Sequence, residues 1–452
     1  DFRPRTSLIG AIINSEPVVA RDEGVVYVAS GEGMLHAFDT SAGNPGNELW
    51  AFVPSKVLAN IGKTSERGYT FQTQYDGSPV LGKFSAAGTL LVAGMGVAGR
   101  GYFALDVSNP RGLNDAGLAG KLKWEFPSAA DANKVGQTLG RPVIVKSENN
   151  GYVVLLTSGY NNADDGPGRL WMLNADTGDV IKTFTTTAST SDSGLAHVTA
   201  FAEPPTGTVR YAYGGDLLGN VWRFDLSDPS ATPTPKLLAT LTGPGNPGAA
   251  QPITAAPELL WHKETSQRVV MIGTGRLLDI GDFLSTNVQS IYAIADDATL
   301  LPLATPRTTL AKQTYVRGAT PNLDTLTGPN INWTTNRGWY IDLPAKEQIN
   351  TRPTIAYGGL AFVSNSNSGS SCEASSYLYV VDVLSGKKFA GTDFIGTLLS
   401  DKSNSSGVTA LLTGKQKIVG AGQDGDGKPW SRDITAGSPI NPSKNSWIEI
   451  RR

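Results

Sequence analysis

A short apolar strand that ends on an acidic or amide residue recurs along this chain, and the recurrence restricts the fold more than any other feature. Aligned on the terminal residue, the copies read Leu35-His-Ala-Phe-Asp39, Tyr102-Phe-Ala-Leu-Asp106, Leu170-Trp-Met-Leu-Asn174, Val221-Trp-Arg-Phe-Asp225 and Leu378-Tyr-Val-Val-Asp382. A further copy, Ile291-Tyr-Ala-Ile-Ala295, carries its acid one place late, at Asp296. Each follows an apolar strand and a glycine turn, as in Val25-Val-Tyr-Val-Ala-Ser-Gly31. The spacing varies from roughly 50 to 90 residues, which fits blades with loops of unequal length better than a uniform solenoid. One such meander cannot bury both of its faces, whereas a ring of them can, and closure protects the strand edges. These copies, with a terminal stretch around Val408 to Ala421, predict an all-β modified β-propeller of about seven blades with long loop insertions. The Leu8 to Ile13 segment is expected to complete the last blade, and residues 1–452 are read as a single β-propeller domain.

Composition agrees. Charged residues make up 17% of the 452, against about 25% in an average soluble domain, and the chain holds 52 Gly and 27 Pro, the mark of many tight turns. A net charge of -2 gives no basic footprint for nucleic acid and no polybasic face for anionic lipid. No apolar run reaches the roughly 18 residues of a membrane span. The first residue is Asp1 and no export signal is visible, so the chain reads as a fragment whose upstream part, including any export signal, is missing. Cys372 is the only cysteine, which excludes an internal disulfide.

The chemistry-bearing motifs are sparse. Gly94-Met-Gly-Val-Ala-Gly99 has dinucleotide-loop spacing, but a strand follows it where a helix N-terminus should receive the pyrophosphate, so it is read as a turn inside a blade. His36, His197 and His262 lie far apart and are expected to be ordinary strand residues. No ordered Ser/His/Asp set is visible. Trp50, Trp124, Trp171, Trp222, Trp261 and Trp339 sit beside blade strands and are expected in the core. Two acidic glycine turns are weighed as calcium sites. One holds Asp164 and Asp165, and the other Asp424 and Asp426 with Asp433 downstream; each lacks a residue where a ligand belongs. The segments Ala298 to Asn336 and Ser227 to Gln251 read as long irregular surface loops.

Several stretches carry a specific likeness. Gly77-Ser-Pro-Val80, Val92 to Pro110, Tyr213-Gly-Gly-Asp-Leu-Leu-Gly-Asn-Val-Trp-Arg-Phe-Asp-Leu226, Glu48 to Pro54, Gly338 to Pro344 and Ser370-Ser-Cys372 leading into Tyr377 to Gly386 span nearly the whole chain. Together they resemble the C-terminal domain of the PilC/PilY family of type IV pilus tip-associated proteins. The resemblance implies a non-catalytic module at the pilus tip or outer surface of a Gram-negative bacterium, exported through the periplasm. It further implies roles in pilus biogenesis, in balancing retraction, in twitching motility and in attachment. Minor pilins and a host or abiotic surface receptor are the implied partners. In the family, a calcium loop precedes a Tyr-x-Tyr-x-Gly-Asp strand, which here is Tyr211 to Asp216. The positions owed to ligands are Ala202, Pro204, Thr206 and Arg210, with only Gly207 retained, so the usual calcium site is expected to be missing and no cofactor is called for.

Two other readings share the fold. Gly33-Met-Leu-His-Ala-Phe-Asp39 followed by Leu49-Trp50 also resembles the repeats of quinone-dependent dehydrogenases, which need a calcium-anchored cofactor on the ring axis. The repeats here lack a regular Trp at every blade end. A periplasmic assembly scaffold is the third reading.

Overall fold

Five of the six repeated strands in the structure stop where the last side chain turns back on the backbone. This computed structural model describes residues 2–433 apart from 5–6, 8, 163–165, 187–192, 204–205, 246–247, 298–301, 321–322, 368–373, 402, 413–417 and 425–427. Asp39 Oδ1 accepts from the Ser41 amide at 2.7 Å, Asp106 Oδ1 from Ser108 at 2.9 Å, Asn174 Oδ1 from Asp176 at 2.9 Å, and Asp225 Oδ1 from Ser227 at 3.0 Å. Asp382 Oδ1 accepts from the Ser385 amide at 2.8 Å. These are Asx turns, the local competitor that ends a strand. Asp296, the late acid, does something else. Buried in its own strand, it accepts from the Tyr213 hydroxyl at 2.5 Å and from Arg223 at 2.8 Å.

The described strands form seven sheets of three or more strands and one two-stranded ribbon. The sheets span residues 18–52, 80–126, 143–185, 195–240, 258–342, 354–400 and 409–433. In every sheet but the fifth, neighbours in space are neighbours in sequence, the meander of a propeller blade. Two compact units partition the chain, residues 1–212 with 224–235, and residues 213–223 with 236–452. No described helix exceeds the seven residues of Ser55–Ile61.

A second periodic signal went unread in the sequence. Pro17, Pro79, Pro142, Pro257 and Pro353 each stand one residue before the first strand of their sheet. A proline there gives up no ladder hydrogen bond, because the strand has not begun.

Three sequence expectations need correction. Ile9 to Ile13 form no strand; instead the Ala11 carbonyl accepts from the Gly31 amide at 2.7 Å, bracing the hairpin of the first sheet. The segment Ala298 to Asn336 is not an irregular surface loop. Its strand Ala311–Val316 pairs in parallel with Gly338–Asp342, a hairpin adds Thr325–Thr327 outside it, and Leu310, Ala311 and Trp333 are buried. Ser227 to Gln251 likewise supplies the fourth strand of its sheet, Lys236–Thr240, then the ribbon Thr242–Gly245 with Gly248–Ala250; Leu238, Ala239 and Leu241 are buried. In both segments scattered apolar residues among Thr and Pro hid a strand too short to show a period.

Of the tryptophans, Trp50, Trp124, Trp171, Trp222 and Trp339 are buried as expected, and Trp261 is only half-buried, with Arg268 over its ring. Three of them dock one sheet onto the next. The indole N–H of Trp50 donates to the Pro110 carbonyl at 2.8 Å, that of Trp124 to Ala175 at 3.0 Å, and that of Trp339 to Val383 at 3.1 Å. Each acceptor lies just past a repeated strand. In two of the three, the glycine of the following turn leaves room for the ring: a Cβ on Gly178 would sit 2.5 Å from Trp124, and one on Gly386 2.6 Å from Trp339.

Candidate functional site

With the strands spent on packing, reactive groups must come from turns and loops, and the structure disperses most of them. Ala202, Glu203, Thr206 and Arg210 lie on a tight hairpin closed by its own backbone: the Glu203 amide donates to the Thr208 carbonyl at 2.9 Å and the Gly207 amide to the Glu203 carbonyl at 2.9 Å. The Thr206 hydroxyl sits 2.9 Å from that of Thr208, and Arg210 lies over the Tyr211 ring. Pro204 lies outside the described residues, as do Asp164, Asp165, Asp426 and Cys372.

Asp424 is described, and its carboxylate accepts from the Lys428 amide at 2.8 Å, closing a strand-to-strand turn. Register places Gln423 opposite Pro429 and Val419 opposite Asp433. The structure therefore sets Asp433 five residues, about 17 Å, along the strand from Asp424, too far to share one ion. Among the described residues, no group of three or more His, Cys, Asp or Glu side chains could hold a metal.

The glycine-rich stretch runs strand, turn, strand, as the sequence predicts. Thr89–Gly94 pairs with Tyr102–Asp106 directly across the turn, with no helix following. Gly96, at φ +72°, packs on Asp76, whose carboxylate accepts from Asn14 at 2.6 Å and from the Val97 amide at 3.0 Å. Burial pushes the Asp76 carboxyl up against the pull of these donors.

One constellation escaped the sequence reading. The Ser30 hydroxyl is 2.9 Å from His36 Nε2, and His36 Nδ1 is 2.6 Å from Glu48 Oε1. That is the order of a nucleophile, base and orienting acid. Its signal was absent because the three residues sit on consecutive strands and meet only through register, His36 opposite Val28 and Ala51. Ser30 is fully buried, His36 is 3% exposed, and neither concavity described below is lined by them. A hydroxyl that no substrate can approach is no nucleophile; the three groups tie three strands together.

The open surface of the first unit offers more. Two concavities, of 420 and 240 Å³, flank the loop that follows Ser55–Ile61. The larger is lined by Asn60, by Ala98 and by residues of the 63–74 loop; the smaller by residues 3–11 that are described, with Glu32, Thr64, Tyr69 and Phe71. In the second unit Leu278, Ile280 and Leu284 are exposed on one loop, held by a capping box at Asp279 and Asp282 and by the Arg276–Asp282 ion pair at 2.6 Å.

Successive meanders, most of them four-stranded, with connecting loops on show define an all-β, propeller-like fold. The family model described as the PilY1 β-propeller domain matches residues 13–315, and the chain belongs to that family. Among curated proteins it is 28% identical to a type IV pilus biogenesis factor PilY1 homolog of Xylella fastidiosa, over all of this chain and 39% of that protein. It is 30% identical to the type IV pilus biogenesis factor PilY1 of Pseudomonas aeruginosa, over 76% of this chain and 35% of that protein. The chain therefore spans well under half the length of these relatives. The crystal structure of the Pseudomonas aeruginosa PilY1 C-terminal domain superposes with a TM-score of 0.70 at 25% identity, covering 90% of this chain and 91% of that one.

Proposed function

We propose that this chain is the contact module of a type IV pilus biogenesis factor, displayed outside the cell at the pilus, where it supports assembly and surface attachment. The observation that carries the proposal is the family match over residues 13–315 together with curated relatives named as pilus biogenesis factors. Residues 1–452 act as one propeller, with loops as the working surface and no catalytic step. Minor pilins are the assembly partners, and a host or abiotic surface is the attachment partner. No described helix is long and apolar enough to cross a membrane. The 202–210 hairpin takes no calcium, so retraction control through that loop is not part of this chain's work.

The test is complementation. A strain deleted for the parent gene receives the parent with or without residues 1–452, and sheared pili, twitching zones and attachment are scored. Normal piliation and attachment without these residues would defeat the proposal. Protease access in intact cells separates a surface module from a periplasmic scaffold, and titration with calcium tests the hairpin.

A further inference from the structure

The 420 Å³ concavity beside Ser55–Ile61 has the size of a small-ligand site. Its wall is a loop whose path is fixed and three of whose side chains are uncommitted. The Gln74 amide donates to the Gly31 carbonyl at 2.8 Å, and the Tyr69 hydroxyl both donates to the Gln72 carbonyl at 2.8 Å and accepts from the Gln72 amide at 3.0 Å. Thr70, Gln72 and Thr73 meanwhile spend none of their side-chain donors or acceptors on another described residue. Hydroxyls and a primary amide supply donors and acceptors together, which suits a ligand made of hydroxyl groups.

Tyr69 borders both concavities. Arg3 lines only the smaller one, with its guanidinium 5.2 Å from the ring centroid, so the cation covers the ring from that side and the larger groove keeps an aromatic wall. Charge in the groove is balanced: Lys63 donates to Asn60 Oδ1 at 2.9 Å, and Glu66 is its counterpart on the same rim. A phosphate or sulfate ligand would call for a surplus of cations. An apolar peptide would call for an apolar floor, and the lining is almost wholly polar.

We infer that this groove binds a neutral oligosaccharide, with Tyr69 packing against a sugar face and Gln72, Thr70 and Thr73 bonding its hydroxyls. The inference rests on the attachment reading above and names what the surface would offer. It is tested on the 452-residue chain by calorimetry and saturation-transfer NMR against lactose, maltotriose, mannotriose and diacetylchitobiose, with a heparin disaccharide as charged control. At least one neutral sugar is expected to bind saturably, and Gln72→Ala/Thr73→Ala to weaken it about tenfold without changing the thermal melt. Absence of saturable binding by every neutral sugar up to about 10 mM, equal binding by wild type and variant, or preference for the heparin disaccharide would overturn it. The variant is also expected to restore piliation in the deletion strain. Failure of the wild-type parent to do so would fell the assembly reading and leave the titration to judge the groove by itself.

Discussion

Alanine at Gly178 probes the tryptophan docking that ties the second sheet to the third. Gly178 has φ +76° in the turn after Asn174, and a Cβ there would lie 2.5 Å from Trp124 Cγ and 2.6 Å from its Cβ. The ring cannot withdraw cheaply, because its N–H is committed to the Ala175 carbonyl at 3.0 Å and Trp124 is 8% exposed. Two costs add. The left-handed backbone costs a non-glycine residue about 1 kcal/mol, and overpacking against an immobile ring adds about 1–3 kcal/mol. Gly151, in the same sheet at φ +68°, would carry a methyl with no neighbour inside 4 Å, so it isolates the backbone part. Gly151→Ala is thus expected to cost about 1 kcal/mol and Gly178→Ala about 2–4 kcal/mol, read as urea midpoint shifts at unchanged slope. In a Trp124→Gly background, which removes the Cβ as well as the ring, the two glycine substitutions should cost the same. Equal shifts in the wild-type background would refute the docking argument.

Further outcomes follow from the same geometry. Deleting residues 302–335 should unfold the second unit rather than trim a loop, since Leu310, Ala311 and Trp333 leave the core; a retained cooperative melt would contradict this. Ser30 should resist a fluorophosphonate probe in the native state, and stoichiometric labelling abolished by His36→Ala would mean that the Ser30–His36–Glu48 relay is accessible chemistry. Burial works to raise the Asp342 carboxyl, but hydrogen bonds from Arg307 and Ser290 and the neighbouring positive charge outweigh it and hold it below the usual range. A depressed folded pKa gives stability present above the unfolded value near about 4 and lost as pH falls through the folded one. Acid titration of stability should accordingly flatten below about pH 4 in Asp342→Asn, and an unchanged acid limb would count against the pairing.

The repeated strands, and the residues on which most of them stop, were legible because that information is local. An apolar run of about five residues sets a buried strand, and an Asp or Asn at its end folds back on the backbone two or three residues later. Asp39, Asp106, Asn174, Asp225 and Asp382 all do this. The absence of a regular Trp at every blade end was also legible, yet three tryptophans dock between sheets all the same. Their acceptors are backbone carbonyls, which no side-chain pattern announces.

What the tertiary structure alone decided depends on which residues a register or a loop path brings together. Asp296 looks like a misplaced repeat in the sequence, but only the approach of Tyr213 and Arg223 makes it a buried lock. Ser30, His36 and Glu48 meet through strand pairing, and the burial of Ser30 denies them the role their order suggests. The groove beside Tyr69 exists because an irregular loop is fixed by a few backbone bonds to Gly31 and Gln72. Local rules set where a strand begins and ends; long-range contact sets what its side chains meet, and binding is a property of those meetings.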